Sequence, residues 1–98
     1  MHLEEIKQHI ENSAHHLVLS VHKEEHNVKE TSIVIKKYIH TGNITVEEEH
    51  LLKLQVADTL KIVGIVVPLV LIPGASIIMP IIIKVASKYN INLMPSVM

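Results

Sequence analysis

The stretch IVGIVVPLVLIPGASIIMPIII, at residues 62–83, decides the fold because it carries no charge in a chain with 19% charged residues. As one continuous helix it would be about 33 Å long at about 1.5 Å per residue, against a hydrocarbon core of about 30 Å. Lys61 and Lys84 bracket the stretch, where their amines would reach the headgroup layers. We therefore favour the interpretation of a single, proline-kinked membrane helix.

Helix-weakening residues inside the stretch leave other interpretations open. They are Pro68, Pro73, Gly74 and Pro80. A pair of helices over 58–72 and 75–88, broken at Pro73-Gly74 and packed in a protein core, also accommodates them, with Ser76 as a loose cap of the second helix. A strand is the weakest interpretation, because the prolines delete hydrogen-bond donors that a buried strand needs. All of these interpretations predict that the stretch is buried away from water.

The preceding part of the chain is acidic and contains all eight histidines, whereas residues 62–98 carry two lysines and no acid. Apolar residues at helical spacing predict an amphipathic helix from Leu3 to about Lys23 and another from Val28 to about His40. Whether the two are separate or form one bent helix is open, since neither glycine nor proline intervenes before Gly42.

Local signals mark where the predicted helices begin and end. Asn27 followed by Glu30 resembles a capping box at the start of the second helix, and Gly42 suits the left-handed conformation after its end. Thr45 with Glu48 three residues later predicts an N-cap and a third helix from Val46, ending near Pro73-Gly74. The prediction is an all-α protein: an acidic, His-rich helical region at 1–43, then an apolar helical segment at 44–98 with a proline-broken helix or helix pair.

Composition excludes several functions. The chain has no Cys, so thiolate metal sites and Cys nucleophiles are absent, and no Arg, which argues against direct nucleic-acid binding. No serine lies in a nucleophile elbow, and we predict no enzyme, no catalytic residue and no cofactor. His15, His22 and His26 lie near one helix face, where Glu11 or Glu25 would complete a Zn²⁺ site, but a solvated polar face explains them more simply, and we predict no metal. The histidines also raise the hypothesis of pH-sensitive association.

Four pieces of the second half occur together: KKYIHTGNITVEEE at 36–49, Asp58 with Lys61, LIPGASIIMPIIIK at 71–84, and NLMPSVM at 92–98. From about residue 36 onward the chain thereby resembles the Letm family, whose name refers to a leucine zipper, an EF-hand and a transmembrane protein, and its short bacterial members in particular. The resemblance implies a helix that enters or crosses the membrane and structural or docking roles for a set of motif residues. These are Asp58, Lys61, Pro73, Gly74, Pro80, Lys84, Pro95 and Ser96.

The resemblance also implies ribosome association and a link to cation/proton exchange and ion homeostasis. Members with exchange activity carry an acidic residue where this chain has Ser76, and Asp58 with Lys61 is most simply a surface ion pair. We expect a non-enzymatic, Letm-like protein at the inner (cytoplasmic) membrane. The alternative is a soluble, cytoplasmic helical module that forms a homo-oligomer through residues 62–83. A cation/proton exchange component is the second alternative.

Overall fold

Apolar residues at helical spacing produce four α-helices over residues 2–93, the part of the chain that this computed structural model describes. Their bounds are α1 (Leu3–His22), α2 (Lys29–Thr41), α3 (Val46–Ile62) and α4 (Ala75–Lys88). One 3₁₀ turn, His26–Val28, leads into α2, and another, Leu69–Leu71, lies between α3 and α4. No strand occurs among these residues, which confirms the all-α prediction.

The starts of α2 and α3 differ in how their first N–H groups are satisfied. At α3 the Thr45 hydroxyl accepts from the Glu48 N–H at 3.1 Å, and the Glu48 carboxylate accepts from the Thr45 N–H at 2.7 Å, so the predicted capping box is confirmed. At α2 the capping box predicted from Asn27 is wrong. The 3₁₀ turn carries the chain into the helix instead, and Val28 takes the N-cap position without a side-chain hydrogen bond.

Each helix is followed by a residue in the left-handed conformation, which closes its last turn. These residues are Glu24 (φ 52°), Gly42 (φ 78°), Gly64 (φ 85°) and Asn90 (φ 56°). After α3 the Gly64 N–H donates to the Lys61 carbonyl at 3.0 Å and the Ile65 N–H donates to the Leu60 carbonyl at 2.9 Å. This pair of bonds is a Schellman motif, and it ends α3 inside the uncharged stretch.

The continuous helix predicted over 62–83 is therefore not formed. The chain leaves α3 after Ile62, crosses residues 63–74 without α-helix, and begins α4 at Ala75. In the described range no helix combines the length and the apolar character needed to cross a bilayer. The strand and the helix predicted over 58–72 are also wrong, whereas the helix predicted over 75–88 is confirmed at both ends.

The core lies between α1 and its neighbours α3 and α4. Helices α1 and α4 run parallel, since Glu11 meets Lys84 and His15 meets Tyr89, while α2 runs antiparallel to α3. Fully buried apolar side chains come from every helix, and the largest of them are Ile10, Ile35, Leu52, Leu60, Ile78, Met79 and Ile82. At about 1.5 to 3 kcal/mol for each large side chain removed from water, this burial drives folding.

Candidate functional site

Residues 63–74, which we call the apolar loop, join α3 to α4 and are attached to the core by buried side chains. Val67 and Ile72 are buried and belong to the main core cluster, with the Leu69–Leu71 turn between them. The Ile72 N–H donates to the Leu69 carbonyl at 3.1 Å, which closes that turn. Buried side chains and a backbone hydrogen bond consequently fix the path of the loop.

The far end of the apolar loop is fixed by a long-range cap. The Ala75 N–H donates to the Glu49 carboxylate at 2.9 Å, so α3 supplies the cap of α4. A Cβ atom at Gly74 would lie 2.9 Å from the same carboxylate oxygen, closer than such atoms normally approach. Gly74 thus leaves space for the Glu49 carboxylate, while Ser76 is exposed and is not the cap.

Five large apolar side chains at the end of α3 and on the apolar loop face solvent. They form what we call the apolar patch: Ile62, Val63, Val66, Val70 and Leu71. Ile62 is 70% exposed, Val66 73% and Val70 87%. The prediction that the whole uncharged stretch is buried is wrong here. Within the loop, Val67 and Ile72 are buried and Ile65 and Leu69 pack partly against the core, while the side chains of the patch remain exposed.

Asp58 and Lys61 lie on the exposed surface of the last turns of α3, just before the apolar patch. Their predicted ion pair is wrong. The ion pairs within the described residues join Lys7 to Glu4, Lys36 to Glu24, Lys37 to Glu48 and Lys84 to Glu11. Lys61 therefore presents its ammonium group to solvent at the edge of the patch.

Pro80 and Lys84 lie together along the seam between α1 and α4. The Lys84 ammonium group pairs with the Glu11 carboxylate at 3.1 Å, and Pro80 lines the same groove. Pro80 has no N–H to donate to the Ser76 carbonyl, and because Pro80 and Ser76 are both exposed, water can solvate that carbonyl. Two of the motif residues, Pro80 and Lys84, thus line one accessible groove. Pro95 and Ser96 lie outside the described residues.

Next to this groove, and sharing Glu11 and Lys84 with it, lies a cleft of about 360 Å³ at the end of α4, which we call the seam cleft. It is lined by Glu11, Asn12, His15, Lys84, Val85, Lys88 and Tyr89. The rings of His15 and Tyr89 are stacked with 4.0 Å between their centroids. Sequence reasoning missed this site, because only the parallel packing of α1 and α4 brings these residues together.

The histidines considered for zinc binding are not gathered into a site. His15 stacks on Tyr89, and Nδ1 of His22 lies 2.9 Å from the Asn92 carbonyl, to which it donates as an N–H. Between residues 2 and 93, no group of three or more His, Asp or Glu side chains is placed to hold a metal ion. In this structure His15 and His22 attach the segment after α4 to α1.

The Glu48 carboxylate accepts hydrogen bonds from both a backbone N–H and a lysine ammonium group. The Thr45 N–H, followed by the Lys37 ammonium group, holds the pKa of the Glu48 carboxyl below its ordinary value of 4.5. Lys37 approaches both carboxylate oxygens, at 3.0 and 3.2 Å. Glu48 therefore combines a cap for α3 with an ion pair to α2.

Comparison with family models, with curated proteins and with solved structures gives no match for this chain.

Proposed function

We propose that the protein is a non-enzymatic, Letm-like helical protein that attaches to the surface of a membrane through the apolar patch. The main observation in support is that Ile62, Val66 and Val70 are exposed on a segment whose residues Val67 and Ile72 are buried in the core. Several exposed apolar side chains within one short segment are typical of a surface that contacts a partner or a membrane. A shallow contact needs only a few inserted side chains and no spanning helix.

A bilayer is the favoured partner because of the charges around the patch. Residues 62–83 contain no acid that anionic headgroups would repel, and Lys61 directly precedes Ile62 of the patch, whereas exposed Asp58 lies about one helical turn further away. A lysine near an anionic surface contributes about 1 kcal/mol. Its apolar stem can lie along the patch while the ammonium group reaches the phosphates.

The expected attachment is weak and reversible. Burying three side chains of the valine or isoleucine size contributes about 4.5 kcal/mol, which corresponds to a partition constant of about 10³ M⁻¹. A single myristoyl chain gives about 10⁴ M⁻¹ and is itself only a marginal anchor. The patch therefore suits a protein that binds the membrane surface reversibly rather than one that is permanently inserted.

Vesicle flotation tests this function. The wild type is compared with Val66→Ser/Val70→Ser, and with Ile33→Ser/Ile39→Ser as the matched control, since both control residues are exposed on α2 away from the patch. With about 30 mol% anionic lipid we expect the patch variant to bind about a hundredfold more weakly and the control to bind like the wild type. Wild-type protein that fails to float, or equal loss in both variants, contradicts the proposal.

The same variants separate membrane attachment from the self-associating alternative. If the patch mediates contact between copies of the chain, sedimentation equilibrium will show a concentration-dependent oligomer that only Val66→Ser/Val70→Ser abolishes, without vesicle binding. That result would replace the proposal with a homo-oligomeric module.

Ribosome association remains an expectation from the resemblance, and co-sedimentation with ribosomes tests it. The exchange alternative has less support, because no ionisable residue lies in 62–83.

A further inference from the structure

The seam cleft gathers hydrogen-bond donors from both of its walls. Asn12 and His15 lie one turn apart on α1, and Lys84 and Lys88 lie one turn apart on α4. Because the two helices run parallel and in contact, these four side chains converge on one space of about 360 Å³. Such a volume exceeds what a single small anion needs and leaves room for an attached organic group.

Most of these donors have no acceptor within residues 2–93. Lys88 forms no ion pair there, and its ammonium group lies 5.7 Å from the centre of the Tyr89 ring. The Asn12 amide oxygen accepts from Gln8 at 3.0 Å, which leaves the NH₂ group of Asn12 unused. The His15 ring is held by stacking rather than by hydrogen bonds, so it can offer an N–H in either protonation state.

Two features oppose an anion in this cleft, and each is offset. Glu11 is the one carboxylate among the described residues that line the cleft and is engaged by Lys84 at 3.1 Å, so these residues, with two lysines, carry a net charge of +1. The C-terminal end of α4 carries negative dipole potential. However, the carbonyls of Val85, Ala86 and Ser87 accept from the N–H groups of Tyr89, Ile91 and Asn90, respectively, so they no longer point unpaired at solvent.

We propose that the seam cleft binds an oxyanion of the phosphate class, as free phosphate, a small phosphomonoester or a phosphomonoester lipid headgroup. Lys88, His15 and the Asn12 amide donate to the anion, and Lys84 is shared between the anion and Glu11. Charge-assisted hydrogen bonds of this kind are short and strong, and a lysine serves as the point charge. The stacked pair of His15 and Tyr89 fixes the position of the imidazole.

Titration with inorganic phosphate at constant ionic strength, followed by amide NMR shifts, tests the proposal. We expect shifts confined to residues of the seam cleft, about tenfold weaker binding for Lys88→Gln, and unchanged binding for Lys29→Gln, an exposed lysine on α2. Glu11→Gln should bind several-fold more tightly, because it removes the competing carboxylate. Equal weakening in Lys88→Gln and Lys29→Gln, or weaker binding by Glu11→Gln, overturns the proposal.

A vesicle arm distinguishes the sources of the phosphate group. Flotation with phosphatidic acid vesicles, compared with phosphatidylglycerol vesicles of equal charge density, assigns the site to a lipid headgroup if only the former shows a Lys88→Gln effect. Binding of inorganic phosphate without such an effect assigns it to a free ligand, and failure of both arms overturns the site. The Val66→Ser/Val70→Ser variant should keep its phosphate affinity, so this outcome is separable from that of the apolar patch.

Discussion

The carboxylate of Glu49, in the first turn of α3, accepts a hydrogen bond from the backbone N–H of Ala75 at 2.9 Å and so begins α4 across 26 positions of sequence. One side chain thereby joins the start of α3, the end of the apolar loop and the start of α4. The neighbouring Gly74 provides the space that this contact needs.

Loss of this cap should destabilise the fold. We expect Glu49→Ala to lower the free energy of unfolding by about 1 kcal/mol, which is typical of removing an N-cap acceptor. Urea denaturation measures the change. Glu47→Ala is the matched control, since it also removes an acid from the first turn of α3 but Glu47 makes no hydrogen bond to α4.

Gly74→Ala should be costly only while Glu49 is present. The φ of Gly74 is −78°, which alanine adopts readily, so the main cost comes from the 2.9 Å approach of the new Cβ to the Glu49 carboxylate. A double-mutant cycle with Glu49→Ala therefore predicts a coupling of about 1 kcal/mol. Additive effects of the two substitutions would show that Gly74 is not there to admit the carboxylate.

Glu24→Gly should stabilise the protein. Glu24 holds φ at 52°, a conformation that costs a residue with a Cβ about 1 kcal/mol, and its exposed ion pair with Lys36 offsets less than that. We expect a rise in the melting temperature of a few degrees. Glu25→Gly, next to it at φ −59°, removes the same charge without relieving a left-handed backbone and should not raise it.

Stability should fall in acid through Glu48. Its pKa is lowered in the folded state, so its contribution is fully present above the unfolded value near 4.5 and is lost as the pH falls through the lower folded pKa. Thermal unfolding of the wild type and Glu48→Gln between about pH 6 and about pH 3 measures this. The two should differ most at the upper end and converge at the lower one. A difference independent of pH would contradict the assignment.

The sequence predicts those helices whose ends and apolar faces are specified by residues close together in the chain. The Thr45 capping box, the stop at Gly42 and the apolar spacing of α1 all involve neighbours within a turn or two, and each is confirmed. The end of α3 was missed even though Gly64 followed by Ile65 is a Schellman signal, because a long uncharged run satisfied the length of a membrane helix. Gly64, rather than any of the prolines, ends α3.

The tertiary contacts lay beyond such reasoning. Nothing near Glu49 in sequence indicates Ala75 as its hydrogen-bond partner, since 26 positions separate the two residues. The stacking of His15 on Tyr89 likewise depends on two helices packing in parallel. Periodicity tells which face of a helix is apolar, but not which helix covers it or in which direction that helix runs.

The parallel packing of α1 and α4 also dictates an order of events during folding. The ion pair of Glu11 with Lys84 joins residues 73 positions apart, and α1 makes its most extensive helix contact with α4. During synthesis from the N-terminus, the part of the apolar face of α1 that α4 covers stays exposed until α4 has been made. A chain interrupted before α4 would therefore expose that face, and contacts of such long separation slow folding and favour aggregation of the incomplete chain.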